Sequence, residues 1–290
     1  MNSVSQSGQR NDAPRGIAWM VCGALFIAFQ VTLVKYLAAD GYAALQLLWL
    51  RYLVQMVLVL VLVVPQYGLA VLVSRRLSLQ LARSVCAVLS AAAGFAGFAL
   101  LPLTLVTAIH FAAPFIIAAL SVWFLRESIS PGRWVAITAG FAGVLVIVQP
   151  GTANWQPELL LPIAGAIFFA IFQLLTRAAA AHDPVSTSVF YAPAVGVVVL
   201  AAAMPFFWVQ PDLLDFGLML ALGVFGAIGQ SGVTKATQAA AASVVAPFQY
   251  TQLIWVGGAG FLVFGTLPDF WTLAGAAVII VSGLYLFRRG

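Results

Sequence analysis

The stretch from Leu103 to Leu125, LTLVTAIHFAAPFIIAALSVWFL, decides the fold. It runs twenty-three residues without a formal charge, enough for a helix to cross a hydrocarbon layer about 30 Å thick. Pro114 stands near its middle, supplies no backbone N–H and leaves the carbonyl of His110 without its helical partner. At membrane depth a freed carbonyl must be met by protein, water or ligand.

Outward from this stretch the chain keeps the same character. Of its 290 residues 63% are apolar and 7% charged, with a mean hydropathy of +1.06. A soluble domain carries about 25% charged residues, so this chain cannot cover a water-facing surface and lipid is its solvent. Apolar segments fall at 16–38, 41–64, 79–100, 103–125, 132–149, 158–179, 185–206, 214–236, 241–265 and 269–287. Turn chemistry separates most of them: Asp40-Gly41, Pro65, Ser130-Pro131-Gly132, Gln149-Pro150-Gly151, Asp183-Pro184, Pro211-Asp212 and Leu267-Pro268-Asp269. Almost nothing polar marks the junctions near 101 and 238. The first run is longer than a signal-peptide core and lacks a small-residue cleavage site, so it counts as a span. Ten-residue units of alternating polarity are missing, which excludes a barrel. The expectation is an all-α membrane protein of ten transmembrane helices behind a polar tail over residues 1–15.

Basic residues orient the helices. With the N-terminus inside, eleven of thirteen fall on the inner side: Arg10, Arg15, Arg75, Arg76, Arg83, Arg126, Arg133, Arg177, Lys235, Arg288 and Arg289. Outer loops hold Asp40, Glu158, Asp212, Asp215 and Asp269, with Lys35 as the basic residue near that face. The positive-inside rule then puts both termini in the cytoplasm.

Val245-Ala246-Pro247-Phe248 echoes Ala112-Ala113-Pro114-Phe115, and Pro268-Asp269-Phe270-Trp271 echoes Pro131-Gly132-Arg133-Trp134. The two pairings imply offsets of 133 and 137. Five spans fall in each half, over residues 16–151 and 152–290, and an odd number per half turns the halves opposite ways in the membrane. Inverted repeats of this kind build secondary transporters, with a site near the midplane between the halves.

The run from Pro102 through Thr107, Pro114, Glu127, Arg133-Trp134, Gly140-Phe141 and Gly143-Val144-Leu145 to Gln149-Pro150-Gly151 resembles the first half of an EamA-type member of the drug/metabolite transporter superfamily. Ala246-Pro247-Phe248-Gln249-Tyr250-Thr251, Phe264-Gly265-Thr266-Leu267-Pro268-Asp269 and Gly283-Leu284-Tyr285 are similar to its second half. The resemblance covers essentially the whole chain. It implies two inverted five-helix repeats that carry small metabolites across a bacterial inner membrane. Among relatives it points to amino-acid exporters, the aromatic amino acid exporter group included. Related sequences commonly hold an acid where Gln249 and Thr266 stand here.

Thr107, His110, Phe111 and Pro114 fall at helical steps of three and four, as do Ser243, Pro247 and Tyr250. Each proline thus shares a face with polar and aromatic side chains, an arrangement suited to a small amphipathic solute. The same arrangement suits packing alone, with neighbours meeting the freed carbonyls. Arg51 lies ten residues into the second span, about 15 Å deep at the helical rise. Its guanidinium needs a partner there, either a substrate carboxylate or helix carbonyls. His110 is one of two histidines and is ionisable at depth. Gln173 follows Phe169 by one turn and Gln249 adjoins Tyr250, so both can hydrogen-bond a cargo or a neighbouring helix. Glycines at 223, 226, 229 and 232 point to close packing of the eighth span.

Several chemistries drop out. No carboxylate lies near the middle of a span, which disfavours multidrug cation/proton antiport. The chain has no phosphate-binding GxxxxGK[ST] loop. Gly229-Gln230-Ser231-Gly232 matches the GxSG of intramembrane serine proteases, but both His110 and His182 lie upstream and leave the serine without a base. Cys22 and Cys86 form no CxxC pair. The charge of +5 is too thinly spread for nucleic acid. The protein is expected to be a non-enzymatic secondary transporter without metal or cofactor, exporting amino acids or similar metabolites. Another vitamin, nucleoside, S-adenosylmethionine or drug-like cargo stays open. A monomer is compatible with this reading.

Overall fold

The computed structural model of the protein describes residues 12–124, 130–152 and 155–288, with the side chains of Trp123, Ala242, Ser243, Phe287 and Arg288 outside that description. Arg10, Arg126, Glu127 and Arg289 lie outside the described residues.

Asp12 caps α1 (Ala13–Ala39): its carboxylate accepts the Arg15 N–H at 3.2 Å, and Pro14 occupies the first turn, where no N–H is needed. α2 (Ala44–Leu58) runs on through a π turn (Val59–Val63) into α3 (Val64–Tyr67). Pro65 does not end this helix, contrary to the expectation from sequence. The π turn shifts the hydrogen-bond ladder so that Pro65 falls in the first turn of α3, and Gly68 at φ +71° stops the chain instead.

α4 (Leu77–Leu100) stops at extended Leu101, and Pro102 opens α5 (Leu103–His110). After Phe111 and Ala112 the chain resumes as α6 (Ala113–Phe124), followed by α7 (Pro131–Val148). Then come α8 (Leu160–Ala179), α9 (Val185–Ala201), the short α10 (Met204–Phe207) and α11 (Leu213–Ala239). Beyond extended Ala240 lie α12 (Ala242–Gln249), α13 (Thr251–Phe264) and α14 (Phe270–Arg288), with Tyr250 between α12 and α13. Among the described residues the regular structure is helical, without strand. Seven helical stretches are long and apolar enough to cross a membrane, one of them Leu103–Val122 across the α5–α6 break. α9 and the Phe270–Leu286 part of α14 are apolar but shorter.

The prolines of the two repeated motifs take different places. Pro114 sits in the first turn of α6, after its break, whereas Pro247 lies inside α12, before its break at Tyr250. The proline motifs therefore do not align the breaks. Helix ends do so better: Leu100 with Ala239, Phe111 with Tyr250, and Pro131 with Phe270 are each 139 positions apart. A proline disturbs the ladder on either side of itself, so its own position marks a break only loosely.

α1 lies along α11, α4 along α8, and α7 along α14; α2 fits against α9 and α11, and α4 also meets α9. The glycines expected to pack closely do so. A Cβ on Gly23 would stand 2.9 Å from the Gly229 carbonyl oxygen, and one on Gly232 would stand 2.8 Å from Gly23 Cα. α1 and α11 thus meet backbone to backbone.

Two polar clasps tie helix starts to distant loops. At the first, Asp183 in the α8–α9 loop accepts from the Ser74 hydroxyl (2.5 Å), the Arg75 N–H (2.8 Å) and the Gln80 amide (3.0 Å). The Ser74 hydroxyl, joined by Gln80 and Arg75, holds the Asp183 carboxyl below the usual range against the opposing effect of burial. At the second, the Tyr42 hydroxyl in the α1–α2 loop donates to Asp215 at the start of α11 (2.7 Å), and this bond raises the Tyr42 pKa. Beside it the Gln46 side chain donates to the Val209 carbonyl (2.7 Å) and accepts the Val209 N–H (2.9 Å).

Candidate functional site

The α5–α6 and α12–α13 breaks meet inside the bundle. Phe111 follows the last residue of α5 and Tyr250 follows the last residue of α12; their rings touch edge to face, with centroids 5.0 Å apart at 83°. Tyr250 reaches across to Gly283 of α14, where any Cβ would overlap the phenol oxygen. That oxygen is buried without a hydrogen-bond partner.

His110 closes α5 and stacks on Phe98 of α4, with centroids 6.3 Å apart at 20°. Glycines make its berth: a Cβ at Gly165 of α8 would stand 3.1 Å from His110 Cε1, and one at Gly94 of α4 would stand 3.5 Å away. The imidazole Nδ1 is buried without a partner. One turn back along α4, Phe95 carries the Arg51 guanidinium, its carbon 5.7 Å from the ring centroid and 5.4 Å from that of Tyr52. Cation–π contacts of this kind contribute about 0.5–2 kcal/mol each, and here Arg51 Nε still lacks a hydrogen-bond partner. Arg51 is seven residues into α2, about 10 Å at the helical rise, because α2 starts only at Ala44, after the Asp40–Gly41 turn and extended Ala43. It is therefore shallower than its sequence position suggests.

The inner end of α5 thus gathers Arg51 and His110 along one side of α4, with Phe111 and Tyr250 beside them. Three of these four carry an unpartnered buried polar atom. An open-sided apolar groove of about 340 Å³ adjoins the same break, lined by Ile109, Ala112, Ile116, Phe141 and Ile167, while none of these four residues lines it. That volume falls within the range of small-molecule pockets. Among the described residues the acids stay at helix ends and loops, and no cluster with metal-ligand character forms.

Other expected residues stand apart. The Thr107 hydroxyl donates to the Leu103 carbonyl one turn back (2.8 Å), which uses its hydrogen inside α5. Phe169 packs on Phe172 with centroids 6.0 Å apart, and Gln173 is exposed on α8. Pro114, Pro247 and Gln249 are half-buried near the breaks. Tyr52, Phe95 and Phe98 were not expected. The spacing of Phe95 and Phe98 on one face of α4, opposite a membrane arginine, is the signal that could have found them.

The model of the EamA-like transporter family matches residues 14–149 and again residues 156–288. The chain belongs to this family. The S-adenosylmethionine uptake transporter of Rickettsia bellii is 27% identical over 271 residues, 93% of this chain and 92% of its own. The riboflavin transporter of Rhizobium johnstonii is 32% identical over 77% of this chain and 79% of its own. The pseudopaline exporter CntI of Pseudomonas aeruginosa is 29% identical over 80% and 82%. A solved crystal structure shares the fold at a TM-score of 0.64 and 14% identity, covering 94% of this chain and 98% of that one. The protein is thus an EamA-family membrane transporter of small molecules, from a family whose named members include both importers and exporters.

Proposed function

We propose that the protein carries small metabolites pairing an amino-acid carboxylate with an apolar or ring-bearing body, by alternating access across a bacterial inner membrane. Arg51 carries this reading: a guanidinium within a span, set over two aromatic rings, with a free N–H and no paired acid among the described residues. A carboxylate on that cation would leave the body of the cargo against the aromatic rings of Tyr52 and Phe95 that flank it. S-adenosylmethionine, the cargo named for the Rickettsia relatives, has this anatomy, and so do aromatic amino acids.

Ten spans in two inverted halves, with both termini cytoplasmic, complete the proposal. Helix pairing supports it. Exchanging the halves carries α1 on α11 into α8 on α4, and α2 on α11 into α9 on α4, while α7 on α14 is carried onto itself. With no acid inside a described span, the carrier works as an exchanger down concentration gradients.

Counterflow in proteoliposomes tests the reading. Vesicles preloaded with unlabelled S-adenosylmethionine or phenylalanine should accumulate the same labelled compound, and Arg51→Gln should slow this by about tenfold or more. No accumulation of any carboxylate-bearing cargo would sink it. Accumulation of labelled riboflavin alone would favour a second reading, in which the rings select a planar body and Arg51 is structural.

A further inference from the structure

Arg83 is the most deeply buried charged residue described, 2% exposed and six residues into α4. Its Nη2 donates to the Ser188 carbonyl on α9, and its Nε reaches Gln80 Oε1 at 3.4 Å. The guanidinium carbon lies 5.2 Å from the Phe172 ring centroid on α8. Nη1 is buried and has no hydrogen-bond partner. The hydroxyls of Ser84, next along α4, and Thr187, next to Ser188, are also unpartnered in fully buried side chains.

The carboxylate of the clasp does not answer this charge. Asp183 is taken up by Ser74, Arg75 and Gln80, and the Gln80 side chain links it to Arg83 without bringing the two into an ion pair. A buried guanidinium with spare donors and no counter-charge is costly unless an anion completes it. The same signature marks Arg51: an aromatic flank and an unpartnered nitrogen. Twelve residues of α4, about 18 Å at the helical rise, separate Arg83 from Phe95 beneath Arg51.

We propose that Arg83, with Ser84 and Thr187, forms a second anion station, for the carboxylate of a small metabolite, on the route that Arg51 serves further along α4. The proposal rests on the reading of the protein as a carrier of carboxylate-bearing cargo. When α9 draws away from α4, the Ser188 carbonyl leaves Nη2, and Nη1 and Nη2 together offer the forked edge that carboxylates accept. The two hydroxyls then donate to the remaining oxygen lone pairs, while Gln80 stays committed to Asp183 and Ser188. A purely structural Arg83 would never present that edge to water.

Phenylglyoxal, which adds to water-accessible guanidinium groups, separates the two cases on the full chain in phosphatidylcholine vesicles. Modification is read residue by residue by mass spectrometry, with exposed Arg75 and Arg76 as references. Arg83 should react, more slowly than these two. Methionine or S-adenosylmethionine at saturation should slow it by about threefold or more, as occupancy requires, and methioninamide should not. An untouched Arg83 after Arg75 and Arg76 are consumed would overturn the station, as would lack of protection by either carboxylate or equal protection by the amide. Protection on replacing phosphatidylcholine with phosphatidylglycerol, with no carboxylate added, would assign the anion to a lipid phosphate and overturn it too. The assay needs no transport, so failed counterflow with a protected Arg83 would reject the transport reading and leave the station standing.

Discussion

At the Asp183 clasp one carboxylate, 5% exposed, collects a hydroxyl, a backbone N–H and a side-chain amide. At the Tyr42 clasp Asp215 is half-buried and accepts one phenol, while Gln46 and Val209 bond each other alongside. Both clasps join a loop between consecutive long helices to the start of α4 or α11, whose ends stand 139 positions apart. Place is shared and chemistry is not. The first is a hub, in which three donors converge on one acceptor; the second is two contacts side by side, either of which can be lost alone.

Removing the hub is the strongest way to break that comparison. Asp183→Ala should lower the unfolding free energy in micelles by about 3 kcal/mol, since it leaves three donors without their acceptor. A loss below about 1 kcal/mol would show the donors finding other partners. Gln46→Leu should cost less, about 2 kcal/mol, by orphaning the Val209 N–H and carbonyl. Tyr42→Phe should lower the melting temperature by a smaller step than either, and the Tyr42→Phe/Gln46→Leu double variant should show additive losses. A coupling as large as the single effects would make the second clasp a hub as well.

Proton titration sharpens the contrast without mutation and should give the smallest effect. Hydrogen bonding depresses the Asp183 pKa, so its stabilisation is present above the ordinary value of 3.8 and is lost as pH falls through the lower folded value. The melting-temperature gap between wild type and Asp183→Asn should therefore close on acidification. Tyr42 is shifted the other way, so its contribution persists below pH 10.0 and is lost as pH rises through the raised folded value. The gap between wild type and Tyr42→Phe should close in alkali. An Asp183 gap that also closed in alkali would mean that the clasps are not independent.

Most helix ends were legible because Gly, Pro or Asp stood at them, as at Asp40-Gly41 and Asp183-Pro184. The break at Ala240 falls between the spans expected to end at 236 and begin at 241, but no such residue marks it. Alanine on both sides carries no turn preference, and the break is fixed by packing: Ala239 accepts the Asp12 N–H at 3.1 Å, and Ala240 lies against Gly16 of α1. Pro65 misled for the opposite reason, since a π turn upstream absorbed it. In the site, Arg51 and His110 could be singled out because ionisable groups are rare inside spans. Arg83 was counted with the inner-face cations, because its distance from Arg75 and Arg76 gives no hint that α9 closes over it. Phe95 beneath Arg51 and Phe98 beneath His110 belong to α4, and nothing in the sequence around Arg51 or His110 announces which helix its side chain will meet.

The seam between α1 and α11 has a consequence at the level of the gene. Every missense change in a glycine codon adds at least a β-carbon. At Gly23 and Gly232 that atom would meet opposing backbone, which cannot swing aside as a side-chain tip can. These codons therefore have no mild replacements, and mutational drift in the two helices is confined to the faces turned away from the seam.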